Sequence, residues 1–103
     1  MVIKYNSNID NEAIIKNIDR LTNQIFKLLP NREEGGDWKV PLENIIVELA
    51  GMDELLLDHV SLFSLLCKLE ALLSLDKEED FLLFRKTIFE CLGLMNGIKK
   101  CLA

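Results

Sequence analysis

Ile14-Ile15-Lys16-Asn17-Ile18-Asp19-Arg20-Leu21-Thr22-Asn23-Gln24-Ile25-Phe26-Lys27-Leu28-Leu29 decides the fold class of this chain. Its residues Ile14, Ile18, Leu21, Ile25 and Leu28 are separated by four, three, four and three positions. That alternation puts them on one stripe of an α-helix, the seam of a helix packed against others. Ile15, Thr22, Phe26 and Leu29 widen the stripe to an arc of roughly 160° at about 100° per residue. Ser7, Asn8 and Asp10 precede it, and each can cap a helix N-terminus. The first helix is predicted from about Asp10 to Leu29, stopping before Pro30.

Downstream, Pro30-Asn31-Arg32-Glu33-Glu34-Gly35-Gly36-Asp37 is polar, with a proline and paired glycines, and reads as a loop over 30–37. Asp37 can cap a short second helix, with Pro41 in its tolerated first turn. Trp38, Leu42, Ile45 and Leu49 form its stripe, Gly51 ends it, and Asp53 caps the next. One long helix bent at Gly51 is the alternative. The third helix is predicted from Asp53 to Leu75. Its polar residues Glu54, Asp58, Ser61 and Lys68 occupy only about 80° of arc. A helix apolar nearly all round belongs at a centre or an interface, and a four-helix bundle has no enclosed centre. Asp76 with Glu79 has the pattern of a capping box for a fourth helix. Phe81, Phe84, Ile88, Cys91, Met95, Ile98 and Leu102 are that helix's seam.

Short connections between helices favour antiparallel neighbours. The expected fold is all-α, an antiparallel up-down-up-down four-helix bundle with a short second helix. A length of 103 residues suits one domain with one core, with residues 1–9 as a tail. Half of the residues are hydrophobic and the mean hydropathy is +0.17, more apolar content than a small bundle buries. No secretory signal is read at the start of the chain. The most apolar stretch, Leu55 to Leu75, carries Asp58, His59, Lys68 and Glu70, so no membrane span is expected. Cys67, Cys91 and Cys101 are an odd set without a close pair. They fit reduced thiols in a cytoplasmic protein, each expected as a small buried residue.

Little here points to catalysis. His59 is the one histidine, and no nucleophile or orienting group stands at a spacing that would make it a general base. Glu70 is eleven residues away, about 16 Å along a helix, too far to orient it. The residue three before His59 is Leu56, not the glutamate that a bundle di-metal site needs. Zinc, calcium and phosphate-loop spacings are absent. No enzymatic activity, metal, cofactor or small-molecule substrate is expected.

Charge is more informative. Residues 1–32 carry five basic and three acidic groups, residues 33–80 three and thirteen, and residues 81–103 four and one. The net charges are +2, −10 and +3, which gives −5 for the chain. Lys16, Arg20, Lys27, Arg85, Lys86, Lys99 and Lys100 form a candidate basic face on the first and fourth helices. It would suit a protein partner or nucleic-acid phosphates, and an accessory subunit of a nucleoprotein complex is the alternative function. No aromatic residues interleave with these bases, and the chain is acidic overall, so nucleic acid is the weaker expectation. Glu90, Gly93 and Gly97 form a candidate helix-docking face, where small residues let another backbone approach. His59, Phe63, Leu66 and Glu70 share one side of the third helix and form a candidate oligomer interface. Trp38, beside the loop, is expected as a lid over the end of the core. The favoured function is a protein-binding adaptor or assembly subunit that forms homo-oligomers or joins a larger complex.

If the basic and acidic parts of different copies meet, raising salt weakens the oligomer, because screening removes the attraction. Light scattering reads this directly, and an oligomer whose mass ignores salt contradicts it.

Overall fold

The alternating stripe of the first helix is buried as its spacing demands. In a computed structural model of the chain, residues 11–56 and 60–102 are described, with the side chains of 12–52 and 62–101. Helix α1 spans Asn11–Glu33. Ile14, Ile18, Leu21, Ile25 and Leu28 are each no more than 3% exposed. Thr22, on the widened stripe, donates its hydroxyl to the Ile18 carbonyl at 2.7 Å and so stays satisfied within its own helix. The proposed tail, residues 1–9, and the capping candidates Ser7, Asn8 and Asp10 lie outside the described residues.

The expected stop before Pro30 is corrected: Pro30 lies inside α1, and the helix continues to Glu33. Proline offers no N–H to the Phe26 carbonyl four residues back, yet the helix runs on, and the carbonyls of its last turn are closed from downstream. The Gly36 N–H donates to the Asn31 carbonyl at 2.9 Å, and the Gly35 N–H to the Arg32 carbonyl at 3.0 Å. This pair is a Schellman closure, and it requires the left-handed backbone of Gly35, φ +77°. A Cβ on Gly36 would crowd the Asn31 carbonyl at 3.2 Å. The paired glycines, not the proline, end the helix. The break is therefore shorter than 30–37 and begins at Glu34.

Asp37 caps the next helix as expected. Its Oδ1 accepts from the Lys39 N–H at 3.1 Å and from the Val40 N–H at 3.4 Å. Helix α2 spans Lys39–Leu56, 18 residues, so it is not short. Gly51 does not end it, and Asp53 lies within it. A helical glycine costs about 1 kcal/mol relative to alanine. Here the buried stripe Leu42, Ile45, Leu49 continues to Met52 across the glycine, and packing outweighs propensity. Helix α3 spans Val60–Leu72 and starts and stops inside the expected 53–75. Its end tightens into bonds from Leu73 to Glu70, Ser74 to Ala71 and Leu75 to Leu72, each 3.1 Å. His59, between α2 and α3, lies outside the described residues.

A 3-10 turn over Glu78–Asp80 leads into α4, Phe81–Leu102. The capping box does not form. Lys77 holds the cap position without a side-chain bond, and the Asp76 carboxylate pairs with Lys39 of α2 at 3.1 Å. The hydrogen bond from Lys39 holds the Asp76 pKa below the ordinary carboxylate value. Phe84, Ile88, Cys91, Met95 and Ile98 are buried, while Phe81 is half-buried at the edge.

The described residues are all-helical, without a strand. Each helix packs on its neighbours in sequence, and α1 also packs on α4. Between α1 and α2, the Asn17 amide reaches the Met52 sulfur at 3.7 Å and Arg20 pairs with Glu48. Lys99 of α4 pairs with Asp19 of α1 at 2.8 Å, and Lys68 of α3 with Glu90 of α4 at 3.7 Å.

One end of the core is organised around Arg32. Its guanidinium lies 4.4 Å from the Phe84 ring centroid, 4.9 Å from that of Trp38 and 5.7 Å from that of Phe81. Its N–H groups donate to the Lys77 carbonyl at 2.8 Å and to the Leu75 carbonyl. Trp38 meets Phe84 edge-on, with centroids 4.9 Å apart, and is the lid the sequence suggested. Arg32→Ala should lower the unfolding free energy by about 2–4 kcal/mol, combining cation–π and charge-assisted bonds. Arg32→Lys should recover less than half of that, because an ammonium lacks the planar fork. Urea unfolding measures both, and an unchanged midpoint for Arg32→Ala contradicts this account.

Candidate protein-interaction surface

Once the seams are buried, a set of large apolar side chains remains outside. Among the described residues, Phe26, Val40, Val47, Phe63, Leu82, Leu83 and Phe89 are between 48% and 77% exposed. Single exposed hydrophobics are ordinary on any protein. Their spacing here is what matters. Val40 and Val47 are seven apart on α2, as are Leu82 and Phe89 on α4, so each pair shares one side of its helix. Both pairs lie away from their helix's buried seam.

Among the described residues, the exposed apolar side chains are spread over α1, α2, α3 and α4. Of the candidate oligomer interface, Phe63 and Glu70 are exposed, Leu66 is half-buried against the core, and His59 is outside the described residues. Val40, Val47 and Leu82 were not singled out by sequence reasoning. Their signal, a seven-residue repeat opposite the seam, is visible only once the seam itself is placed.

Gly93 and Gly97 are open to the outside: a Cβ added at either would meet nothing within 4 Å, and the same holds for Gly51 of α2. No packing among the described residues demands a glycine at these three positions, although each costs about 1 kcal/mol against alanine. Glu90 is exposed on the same side of α4 as the two glycines. Its carboxylate is turned to Lys68 of α3.

The candidate basic face is divided. Lys16, Lys27, Lys86 and Lys100 are exposed. Arg20 is engaged by Glu48 and by the Asn17 side chain, and Lys99 by Asp19. Arg85 lies with its guanidinium 5.5 Å from the Phe89 ring centroid. Surface pairs like these are weak, but each sets a carboxylate beside a base that would otherwise meet a phosphate. The described surface also has shallow hollows. One of about 420 Å³ lies between α1 and α2 and is lined by Gln24, Lys27, Asn31, Val40, Asn44 and Glu48. Another, about 590 Å³, lies at the Arg32 end against Glu33, Glu78, Glu79 and Leu82. Among the described residues, no three His, Cys, Asp or Glu side chains are grouped to hold a metal ion. No helix among them is long and apolar enough to cross a membrane.

The cysteines depart from expectation. Cys91 is buried, but Cys67 and Cys101 are exposed, and all three are free thiols. Cys67 falls on the outward arc of α3 with Phe63, four residues before it. Burial pushes the Cys91 thiol up to about 12, with nearby Lys68 pulling it down and Glu90 adding to the rise. A disulfide reagent at mildly alkaline pH should modify Cys67 and Cys101 quickly, and Cys91 only after unfolding. Because the unfolded thiol ionises first, Cys91 also costs stability as pH rises above the ordinary thiol range. A third thiol reacting as fast as the other two in the folded protein would contradict this placement.

Set against known protein families, curated proteins and solved structures, the chain matches none of them.

Proposed function

We propose that the chain is a non-enzymatic, cytoplasmic protein-interaction subunit, an adaptor or assembly component built as an antiparallel up-down-up-down bundle. The cross-helix pairs support the topology. Residues 17, 20 and 31 of α1 meet 52, 48 and 37 in falling order, and residues 19 and 32 meet 99 and 84. Three unpaired cysteines fit a reducing compartment.

One observation carries the functional reading: large apolar side chains stand in heptad-spaced pairs on helices whose cores are already full. Burying one such side chain is worth about 1.5–3 kcal/mol, which a partner could supply and solvent does not. The accessory nucleic-acid-binding reading is less well supported, since Arg20 and Lys99 are spent on internal ion pairs.

The chain purified from its native cell should carry a stoichiometric protein, either itself or another chain. The variant Val47→Gln, Phe63→Gln, Leu82→Gln and Phe89→Gln should lose that protein while keeping its helical circular dichroism. Retention of the partner by the variant overturns the reading. So does salt-sensitive retention of RNA or DNA with no protein bound.

A further inference from the structure

We infer that the outward face of α4 docks on the outward face of α2 of a second copy, so that copies add head to tail. The inference rests on the protein-interaction reading and names its partner.

The two faces carry the same pattern. On α2, Val40 and Val47 are seven apart, and Gly51 follows four residues later. On α4, Leu82 and Phe89 are seven apart, and Gly93 follows four residues later. In both, the apolar residues are exposed and the glycine faces open space. A glycine beyond two apolar knobs lets a facing backbone come close at the end of the contact.

Charge selects which face meets which. Lys39 and Glu48 of α2 and Glu90 and Lys99 of α4 are held in ion pairs within the chain, so the charges that select are Glu43 on α2 and Lys86 and Lys100 on α4. Glu43 stands between the two valines, while Lys86 stands between Leu82 and Phe89, and both are exposed. Docking α4 on α4 would set Lys86 and Lys100 against the same lysines, and docking α2 on α2 would oppose Glu43 to itself. Docking α4 on α2 pairs opposite signs and buries apolar residues on both sides.

The position of the helices decides what this builds. Among the described residues, helices α2 and α4 each pack on α1 and on α3 but not on each other. Their outward faces therefore point away from one another across the core. A copy bound through α4 still offers its α2, so the contact is heterologous and propagates to a ring or a filament instead of closing a two-fold dimer.

Sedimentation velocity over a range of concentrations tests this with two variants. Val40→Gln with Val47→Gln removes the α2 face and leaves α4 intact. Leu82→Gln with Phe89→Gln does the reverse. The unaltered chain should grow beyond a dimer as concentration rises and shrink with salt. Each variant alone should stay monomeric with unchanged circular dichroism, and an equimolar mixture should stop at a one-to-one dimer. Gly93→Ala with Gly97→Ala should raise the melting temperature and weaken self-association by at least tenfold. Self-association of either blocked variant alone, or a mixture that stays monomeric, overturns the inference. If the unaltered chain is monomeric at every concentration but binds a different protein, this inference falls and the interaction reading stands.

Discussion

Everything at one end of this bundle depends on where a single guanidinium is placed. Arg32 sits in the last turn of α1, where a cation suits the negative end of the helix dipole. From there it lies over the rings of Trp38 and Phe84 and donates to carbonyls of the α3–α4 connection. A planar ion can do both because its faces meet aromatic rings while its edge offers hydrogen bonds. The turn after Pro30 is thereby joined to the start of α2, the connection before α4 and the start of α4 itself. The prolongation of α1 past its proline follows from this. The helix keeps its last turn because Arg32 and the Gly35–Gly36 closure hold it in place.

The parts of the fold legible in the sequence are those governed by period. Ile14 through Leu28 on α1, Leu42 through Leu49 on α2 and Phe84 through Ile98 on α4 repeat at three and four, and they are buried. Burial of such a stripe is repeated over many residues, so no local exception removes it. Element ends were less legible, because each depends on one or two residues whose neighbours come from elsewhere. Pro30 and Gly51 disfavour helix locally, and tertiary packing overrides both. Asp76 has the spacing of a cap, but Lys39 of another helix claims its carboxylate. Arg32 carried no sequence signal at all, since its partners lie as far away as Phe84, 52 positions on.

The surface was read only in outline. An apolar excess was evident from composition, but α3 was its expected location, because residue type without burial cannot separate a core leucine from an exposed one. On α3, Leu62, Leu65, Leu69 and Leu72 take the core, and Phe63 is what remains outside. Among the described residues, the outer faces of α2 and α4 also hold exposed apolar side chains: Val40, Val47, Leu82 and Phe89. The basic residues were grouped correctly by helix but not by environment. Arg20 and Lys99 point along the bundle's flanks to carboxylates on neighbouring helices.

The two ends of the bundle are also held in unlike ways, with a consequence for how it comes apart. Around Arg32, several elements share one ion, so none of them can leave without loosening the others. That end opens as a cooperative block. Among the described residues, the contacts toward the other end form smaller groups: Asn17 joins Met52 and Arg20, Arg20 pairs with Glu48, and Asp19 pairs separately with Lys99. Amide exchange should accordingly be late and concerted where the arginine sits.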